Sequence, residues 1–388
     1  MPRQTPEMLA QSAHLFFGPW YRKSPFFEAT RRYGCTGYDI YNHTYLPAYY
    51  DEPNVEYWAL VKGVTIWDVG CERIVEISGL DSSEFIDSLT CRDLTRCAVG
   101  QCKYVPIIAQ HGGIVNDPVC LRVEEKRWWL ALADSDAGLF ALGVAAHSGK
   151  RVEISYPPVH PIQVQGPRSK ETLQRLFGDE ILSLRYYHCR EADLDGIPVV
   201  IGRTGWTAVV GFEIYLRDPS RGDDLWERVI EAGRPYDIRP IAPSEARRIE
   251  AGIFNYGSDI TLENNPYEIM GMERLVEDQA ADYLGKAALA RIRREGVKRR
   301  LVGVEIGAPE LRAECAEYWP VRKDGRRVGH LTDAVWSPGL EKNIGYVWVP
   351  TEYSAPGTPL EIETPGGVVP GRTAAIPFID PTKRQPLH

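Results

Sequence analysis

The sequence predicts an α+β protein that carries a separate all-β domain at its C-terminal end. Strand and helix patterns mix up to about residue 290 without the regular strand–helix–strand alternation of a doubly wound parallel sheet. From about Leu301 onward the patterns are short strands between Gly and Pro turns, which is typical of a small barrel or sandwich. The length of 388 residues exceeds one ordinary core, so we expect two or three domains.

The composition is that of a folded, soluble chain. Hydrophobic residues make up 44% and charged residues 25% of the sequence, close to the averages for globular proteins. The net charge of −8, from 45 Lys and Arg against 53 Asp and Glu, argues against a general nucleic-acid or anionic-membrane surface. No window approaches the ~18 apolar residues of a membrane span, and the N-terminus lacks a signal-peptide core. We therefore expect a cytoplasmic protein without nucleic-acid or membrane partners, and a homodimer is left open.

Metal and disulfide chemistry have little support. The eight cysteines contain no Cys-x-x-Cys pair, and the eight histidines show no His-x-x-x-His spacing. We expect reduced cysteines and no metal site. Gly-x-Gly-x-x-Gly, P-loop and Gly-x-Ser-x-Gly motifs are also missing, which weakens dinucleotide, nucleotide and hydrolase hypotheses.

The N-terminal third begins with an expected arm over residues 1–23. Residues 24–50 then place six tyrosines between Gly and Pro residues, a density typical of a site wall or an interface. Residues 64–80 alternate like paired strands, and a helix is expected next with Asp81 as its N-cap. Three further strands, the first two forming a hairpin, are expected between Gln101 and the segment RWWLALA.

One of those strands contains an unusual carboxylate. The stretch GGIVNDPVCLRV would suit a buried strand, but Asn116, Asp117 and Pro118 interrupt it. Proline removes a ladder donor and restricts the residue before it, so Asp117 is predicted to point away from a locally broken strand. A carboxylate among apolar neighbours is costly unless something binds it, which indicates a ligand site. The alternative is an edge bulge with Asp117 in water or capping a turn.

A second carboxylate stands out in GWTAVVGFEIYL. Glu213 lies between Phe212 and Ile214, on the alternate face of a strand otherwise suited to burial. The alternative is the exposed face of a half-buried strand. Downstream, helices are expected over 223–233 and in SEARRIEAGIFNYGSD, and the basic stretch KAALARIRREGVKRR is interpreted as a solvated helix end before a linker.

The order of five motifs resembles the aminomethyltransferase (T-protein) family of tetrahydrofolate-dependent enzymes, from about Gly34 to Asp380. The motifs are VQGPRS (Val164 to Ser169), RTGW…GFEIY (Arg203 to Tyr215), RRIEAGIFNYGSD (Arg247 to Asp259), DYLGKAAL (Asp282 to Leu289) and SPGLEKNIGYVWV (Ser337 to Val349). Within that family the chain looks most like the dimethylsulfoniopropionate demethylases. The stretches that carry this likeness are YDIYNHTYLP, IWDVGCERIVEISG, LTCRDL, GQCKYVPI, VNDPV and WWLALADSD.

The resemblance implies a T-protein-like three-domain fold and a methyl-transfer reaction. Its parts would be the arm over 1–23, a folate-binding core of two related α+β lobes over 24–290, and a C-terminal β-barrel over 291–388. The implied cofactor is tetrahydrofolate. The implied partner is a small-molecule methyl donor, dimethylsulfoniopropionate or a similar onium acid, whose methyl group moves to N5 of tetrahydrofolate.

The resemblance also assigns roles to residues. In relatives the aspartate matching Asp117 lies beside the reactive pterin nitrogens, and the glutamate matching Glu213 anchors the amino-pyrimidine edge. A carboxylate suits the donors of that edge through charge-assisted bonds. Asp117 either holds N5 with its lone pair aimed at the methyl group or accepts the proton that N5 releases. Arg248 and Tyr256 match positions that border the folate site, although Arg248 alternatively pairs with Glu250 or a helix-end acceptor. A sulfonium should meet aromatic faces. The motif positions predicted to line the methyl-donor pocket are Tyr38, Tyr41, Tyr104, Trp206 and Tyr215, with Tyr104 also expected to act beside Asp117 in catalysis.

Two rival functions remain open at this level. The first is a tetrahydrofolate-dependent O- or N-demethylase of a methoxy-aromatic acid or methylated amine. An aryl ether needs an acid or cation at its leaving oxygen, so Lys103 or His43 reaching the pocket would favour this rival. Lys103 there would also favour a substrate carboxylate and repel a bare onium group. The second rival, a non-catalytic folate-binding protein, carries a cysteine motif where this chain has DYLGKAAL, and the missing cysteine argues against it.

Overall fold

The computed structural model describes residues 17–312, 315, 317–382 and 384–387. Over these residues the helices, numbered in chain order, are α1 (Phe27–Arg32), α2 (Pro53–Lys62), α3 (Ser82–Asp87), α4 (Ala137–Ser148), α5 (Ser169–Phe177), α6 (Gly222–Gly233), α7 (Glu245–Glu250) and α8 (Lys286–Glu295). The strands are β1 (Gly37–Tyr41), β2 (Thr44–Tyr49), β3 (Thr65–Asp68), β4 (Ile74–Ser78), β5 (Cys102–Tyr104), β6 (Ile107–Ile108), β7 (Ile114–Asn116), β8 (Val119–Glu124), β9 (Arg127–Ala131), β10 (Glu153–Ser155), β11 (His160–Gln165), β12 (Cys189–Asp193), β13 (Pro198–Gly202), β14 (Gly211–Leu216), β15 (Arg239–Pro240), β16 (Arg299–Ile306), β17 (Trp319–Lys323), β18 (Arg326–Ser337), β19 (Lys342–Pro350), β20 (Pro359–Thr364) and β21 (Gly367–Ala374).

The strands form two large sheets, a closed barrel and two two-stranded sheets, β1-β2 and β6-β7. The first sheet has the order β10-β4-β9-β8-β5, and the second has the order β12-β13-β14-β11-β3-β15. The barrel has the order β16-β19-β18-β17-β20-β21 and closes through pairing of β16 with β21. These findings confirm the α+β class and the C-terminal barrel.

Each sheet is covered on one face by helices that bury apolar side chains. Val75 and Trp128 of the first sheet pack with Phe85 of α3 and Ala141 of α4. The second sheet packs against α5 and α6, where Trp226 is fully buried. Burial of a large apolar side chain stabilises the fold by about 1.5–3 kcal/mol, so these layers supply much of the stability of the core.

The two sheets are joined at their edges. An isolated antiparallel bridge links Gln101, next to β5, with His188, next to β12. The backbone N–H of Cys102 donates to the carbonyl of Tyr187 at 2.8 Å, and that of Cys189 donates to Gly100 at 2.8 Å. The remaining faces of the two sheets therefore lie near each other, and a cavity lies between them.

The hairpin expected from Gln101 to Val123 is present, but each of its arms is split. β5 pairs with β8 in the large sheet, whereas β6 pairs with β7 in a separate two-stranded sheet. Pro106 and Pro118 stand at the two breaks, because proline cannot continue a hydrogen-bonded ladder.

The barrel follows α8, which contains the predicted division between residues 290 and 291. The barrel strands begin at Arg299, and the domain limits stay predictions. In the basic stretch Arg293 pairs with Asp278 at 3.3 Å, and Arg299 pairs with Glu268 at 3.1 Å. Both arginines are partly exposed, which fits the interpretation of a solvated helix end.

Residues 1–16 of the predicted N-terminal arm lie outside the described residues. The rest of the arm packs on the β1–β2 hairpin, since the Arg22 N–H donates to the carbonyl of His43 at 2.9 Å and its side chain donates to Thr44 Oγ1 at 2.7 Å. All eight cysteines are free thiols. Over the described ranges, no helix is long and apolar enough to cross a membrane, and no cluster of His, Cys, Asp and Glu side chains could hold a metal.

Candidate active site

A cavity of about 300 Å³ lies between the two sheets and takes side chains from both. Asp117 reaches it from the first sheet and Glu213 from the second. The two carboxylates singled out by the sequence therefore line one cavity, although they are far apart along the chain.

The strand break at Asp117 is fixed by its neighbours. β7 ends at Asn116 and β8 begins at Val119. The Asn116 side-chain amide donates to the carbonyl of Ala133 at 2.9 Å and accepts from the Ala133 N–H at 3.1 Å, which satisfies backbone groups that the broken ladder leaves free. Asp117 is only 9% exposed and faces the cavity. The alternative of a water-exposed bulge is therefore wrong.

Tyr104 holds one oxygen of this carboxylate. Because Tyr104 lies opposite Val119 in the β5–β8 ladder, its hydroxyl reaches Asp117 and donates to Oδ2 at 2.7 Å. Oδ1 of Asp117 is buried and has no hydrogen-bond partner within the described part of the chain. Burial raises the pKa of Asp117 to about 7, although the Tyr104 bond lowers it. The pKa of Asp117 therefore lies near neutral pH, and its Oδ1 has no hydrogen-bond partner in the described chain.

Glu213 is held by three donors. The register of β11 and β14 places Gln163 opposite it, and Gln163 Nε2 donates to Oε1 at 2.8 Å. The hydroxyl of Tyr215 donates to Oε2 at 2.6 Å, and the hydroxyl of Thr204 donates to the same oxygen. Burial raises the pKa of Glu213, and these donors oppose the shift. At 3% exposure the side chain does not lie on a solvated strand face, so that alternative is wrong.

The VQGP motif positions the loop that carries Trp206. Gln165 Nε2 donates to the carbonyl of Thr204 at 3.2 Å, and its Oε1 accepts from the Thr207 hydroxyl at 2.9 Å. A Cβ at Gly205 would lie 2.3 Å from Gln165 Oε1, so only glycine permits this close approach. The loop consequently presents Trp206 to the cavity.

Four of the predicted aromatic residues line the cavity. The hydroxyl of Tyr256 donates to the carbonyl of Ile114 at 2.8 Å, close to the Asp117 break. Burial and then the charge of Asp117 raise the pKa of Tyr41 well above its ordinary value. The predicted residues that line the cavity are Asp117, Glu213, Tyr41, Tyr104, Trp206 and Tyr256.

Tyr38 and Tyr215 lie outside the cavity lining and need a corrected role. Tyr38 packs on Phe27, with 5.0 Å between ring centroids, and its hydroxyl shares a hydrogen bond with Thr30 Oγ1 at 2.7 Å. Tyr215 is fully buried and acts on the site only through its bond to Glu213. We therefore assign Tyr38 to packing and Tyr215 to positioning Glu213.

Arg248 also lies behind the lining. It is fully buried, and its guanidinium donates to Glu245 at 2.5 Å, to Asp259 at 2.7 Å and to Asp333 of the barrel. The suggested partner Glu250 instead binds Arg247 at 3.0 Å. Arg248 therefore links α7, the following loop and the barrel rather than bordering the cavity.

The charge of the lining is acidic. Lys103 does not reach the cavity, because its ammonium donates to the carbonyl of Asp93 at 2.7 Å, and His43 is exposed elsewhere. Among the described residues, Arg274 is the only Lys, Arg or His in the lining. The acids that line the cavity are Asp39, Glu72, Asp117, Glu213 and Glu245.

Sequence reasoning missed many lining residues, among them Glu72, Gln163, Tyr186, Tyr187 and Arg274. A polar Gln163 inside the apolar strand HPIQVQ was a usable signal of the same kind as Glu213. Glu72 and Arg274 lie in connecting segments, where side-chain direction follows from tertiary packing.

Comparisons with known proteins show the family and the fold of the chain. The model of the GCVT N-terminal domain matches residues 26–279, and that of the glycine cleavage T-protein C-terminal barrel domain matches residues 299–380. The chain is 38% identical to a dimethylsulfoniopropionate demethylase of Ruegeria pomeroyi, over 90% of this chain and 95% of that protein. It is 29% identical to an aminomethyltransferase of Desulfitobacterium hafniense, over 90% of this chain and 96% of that protein. Its fold matches the crystal structure of glycine cleavage system aminomethyltransferase T from Bartonella henselae with a TM-score of 0.84, at 20% identity, covering 92% of this chain and 98% of that one.

Proposed function

The chain belongs to the glycine cleavage T-protein family of tetrahydrofolate-dependent methyl-transferring enzymes, and from that premise we propose that it demethylates dimethylsulfoniopropionate. The methyl group would move from sulfonium sulfur to N5 of tetrahydrofolate, releasing methylthiopropionate. The observation that carries the proposal is the shared cavity of Asp117 and Glu213, whose lining is acidic and aromatic.

The hydrogen-bond acceptors of the cavity fit a reduced pterin. Asp117 Oδ1 and Gln163 Oε1 are buried acceptors without a hydrogen-bond partner in the described chain, and both residues line the cavity. Unsatisfied buried acceptors cost free energy, so a ligand rich in N–H groups gains by entering. We propose that Glu213 binds the amino-pyrimidine edge and that Asp117 lies beside N5.

Asp117 has the role of proton acceptor in this proposal. Tetrahydrofolate, when bound, supplies N5 as the nucleophile for the methyl group. Asp117 accepts the proton that this amine loses on alkylation, at the unpartnered Oδ1. Tyr104 holds the carboxylate in place through Oδ2, and burial raises the pKa of Tyr104, which keeps its hydroxyl protonated as a donor.

The methyl donor needs alignment more than acid catalysis. A sulfonium leaves as a neutral thioether, so no proton has to reach it. Aromatic faces attract the cation by roughly 0.5–2 kcal/mol each, and Tyr41, Tyr104 and Trp206 line the cavity for that purpose. Correct orientation of two bound reactants alone lowers a barrier by about 7 kcal/mol or more. Arg274 is the cation available for the substrate carboxylate.

The O-demethylase rival loses its main support. Lys103 or His43 in the cavity, as an acid or cation at the leaving oxygen, would have favoured it, and neither side chain lines the cavity. The non-catalytic folate-binding rival is disfavoured because DYLGKAAL lacks the cysteine of its motif.

A turnover assay tests the proposal directly. The protein is incubated with tetrahydrofolate and dimethylsulfoniopropionate, and methylthiopropionate and 5-methyltetrahydrofolate are quantified. We expect both products in equal amounts. Absence of both products, together with turnover of a methoxy-benzoate or a methylated amine, would contradict the proposal and support the rival demethylase function.

Tyr104→Phe should move the pH profile of the reaction. Catalysis needs ionised Asp117, so kcat/KM should rise with pH through an apparent pKa of about 7. The Tyr104 hydroxyl favours the charged carboxylate of Asp117. Its removal should therefore raise the apparent pKa of the increase in kcat/KM by about one pH unit. The check is kcat/KM against pH for both proteins. An unchanged apparent pKa in Tyr104→Phe would contradict the role of the bond. In Asp117→Asn the rise of kcat/KM with pH should disappear.

Glu213→Gln should weaken tetrahydrofolate binding by about a hundredfold, or about 2.8 kcal/mol. The substitution removes the charge, and the new amide group faces the donors of Gln163, Tyr215 and Thr204. Equilibrium binding, with the melting temperature as a folding check, measures the effect. Glu191→Gln, at an exposed glutamate of β12, serves as the control. Equal affinity in wild type and Glu213→Gln would refute the anchoring role.

A further inference from the structure

Glu213 has little hydrogen-bonding capacity left for a ligand. A carboxylate accepts at about four lone-pair positions on its two oxygens. Gln163, Tyr215 and Thr204 already occupy three of them. Glu213 can therefore accept about one more conventional hydrogen bond.

The amino-pyrimidine edge of a pterin presents more donors than that. It carries N3–H and the two hydrogens of the 2-amino group. One remaining position on Glu213 satisfies only one of these donors. A second acceptor at the same end of the cavity is needed, since a desolvated N–H without a partner costs about 1–3 kcal/mol of binding free energy.

Glu72 is a carboxyl group of the lining that the reaction does not otherwise use. It lies between β3 and β4, is half-buried and lines the same cavity as Glu213. No side-chain hydrogen bond or ion pair engages its carboxylate within the described ranges. Burial and then the charge of Glu213 raise the pKa of Glu72 well above its ordinary value, which indicates that the two acids are neighbours.

We propose that Glu72 is the second acceptor for the amino-pyrimidine edge, so that Glu72 and Glu213 together bind the donors of the reduced pterin. This inference rests on the proposed function and adds a binding residue to it. Gln163 supplies a further acceptor for the three donors of this edge, because its amide nitrogen is committed to Glu213 and its buried oxygen has no partner in the described chain.

Placement favours the pterin over the methyl donor as the partner of Glu72. The reacting nitrogen and the sulfonium belong beside Asp117 and Tyr104. Glu72 lies with the group of side chains around Glu213, because it lines the same cavity and the charge of Glu213 raises its pKa. The raised pKa of Tyr215 reflects burial first and then the charges of Glu213 and Glu72.

Glu72→Gln tests the inference in the full-length protein. Equilibrium binding of tetrahydrofolate should weaken by about 10- to 100-fold, because the N–H donors of the pterin favour the carboxylate form of Glu72 and the substitution removes half of its acceptor capacity. Glu180→Gln is the matched control, since Glu180 is 88% exposed on its side chain and lies outside the cavity. Its affinity should equal that of the wild type. The KM for dimethylsulfoniopropionate at saturating tetrahydrofolate should change little in Glu72→Gln.

A ligand analogue distinguishes recognition from a general disturbance of the cavity. With 2-desamino-2-methyl-tetrahydrofolate the 2-amino donors are gone, so wild type should bind it more weakly than tetrahydrofolate. Glu72→Gln should then weaken binding of the analogue little further. The affinity losses from the change in the ligand and from the substitution are therefore expected to be non-additive. Purely additive losses would overturn the inference, because they would show that Glu72 does not contact that edge.

The outcomes separate the inference from the proposed function. If wild type fails to bind tetrahydrofolate, the proposed function fails. If wild type binds it and Glu72→Gln binds it equally well, or if only the KM for the sulfonium rises, the inference on Glu72 is overturned and the proposed function stands. Should Glu72→Gln prove poorly folded, the analogue is measured with Glu72→Asp, which keeps the charge and shortens the reach.

Discussion

Asp117→Asn lowers kcat for methyl transfer by about 10³-fold, within the range for loss of a positioned proton acceptor. This corresponds to about 4 kcal/mol of transition-state stabilisation. Asparagine keeps the shape of the side chain, and its carbonyl oxygen still accepts the Tyr104 hydrogen bond. What it lacks is a basic oxygen at the unpartnered position. The affinity for tetrahydrofolate should therefore change far less than kcat.

Single-turnover measurement of the methyl-transfer step, alongside equilibrium binding, separates these two effects. Asp136→Asn is the matched control, since Asp136 is exposed and lies outside the cavity. It should leave both quantities unchanged. A tenfold or larger loss of tetrahydrofolate affinity with an unchanged rate of transfer would contradict the assignment of Asp117 to catalysis.

Arg248→Met lowers the free energy of unfolding by about 3–5 kcal/mol, the range for removing one partner of a buried ion pair. Arg248 is fully buried, and its loss leaves the carboxylates of Glu245, Asp259 and Asp333 without their common cation. Burial already raises the pKa of Asp333 well above its ordinary value in spite of the attraction of Arg248. The effect should extend to the barrel, because Asp333 belongs to β18.

Denaturant unfolding of Arg248→Met and of Arg291→Met measures this loss. Arg291 is exposed on α8, so its substitution should stay within about 0.5 kcal/mol of wild type. The deficit of Arg248→Met should shrink as the pH falls, because protonated carboxyl groups no longer need the cation. An unfolding free energy within 1 kcal/mol of wild type would show that the buried cluster does not link the lobes to the barrel.

The site residues that could be predicted from the sequence are those that conflict with the local strand pattern. Asp117 beside Pro118 and Glu213 inside an apolar strand both break a local pattern, and such breaks occur where tertiary structure or a ligand compensates for them. The C-terminal barrel was predictable for a similar reason, since short strands between Gly and Pro turns admit few architectures. The motif order then suggested the roles that we propose for the two acids.

The errors follow from strand geometry that the sequence leaves undetermined. Successive side chains of a strand point to opposite faces. Asp39 and Tyr41 of β1 line the cavity, so Tyr38 points to the opposite side of the strand and packs on Phe27. In β5 the same alternation directs Tyr104 to the cavity and Lys103 away from it. A one-residue change of register would have reversed both assignments.

Arg248 illustrates a different limit. Its motif position suggested a place at the folate site, but its three carboxylate partners come from α7, the next loop and the barrel. Two of those partners lie outside the helix that carries Arg248, and only the assembled fold brings them together. Glu72 was missed because it lies in the loop between β3 and β4, where no strand alternation indicates the direction of a side chain.

A crystal structure of the protein with bound tetrahydrofolate is the decisive measurement. We predict the pterin inside the cavity, with its amino-pyrimidine edge at hydrogen-bond distance from Glu213 and with N5 next to the carboxylate of Asp117. A pterin bound outside this cavity, or bound within it with N5 turned away from Asp117, would contradict the convergence of the two acids on one reduced pterin.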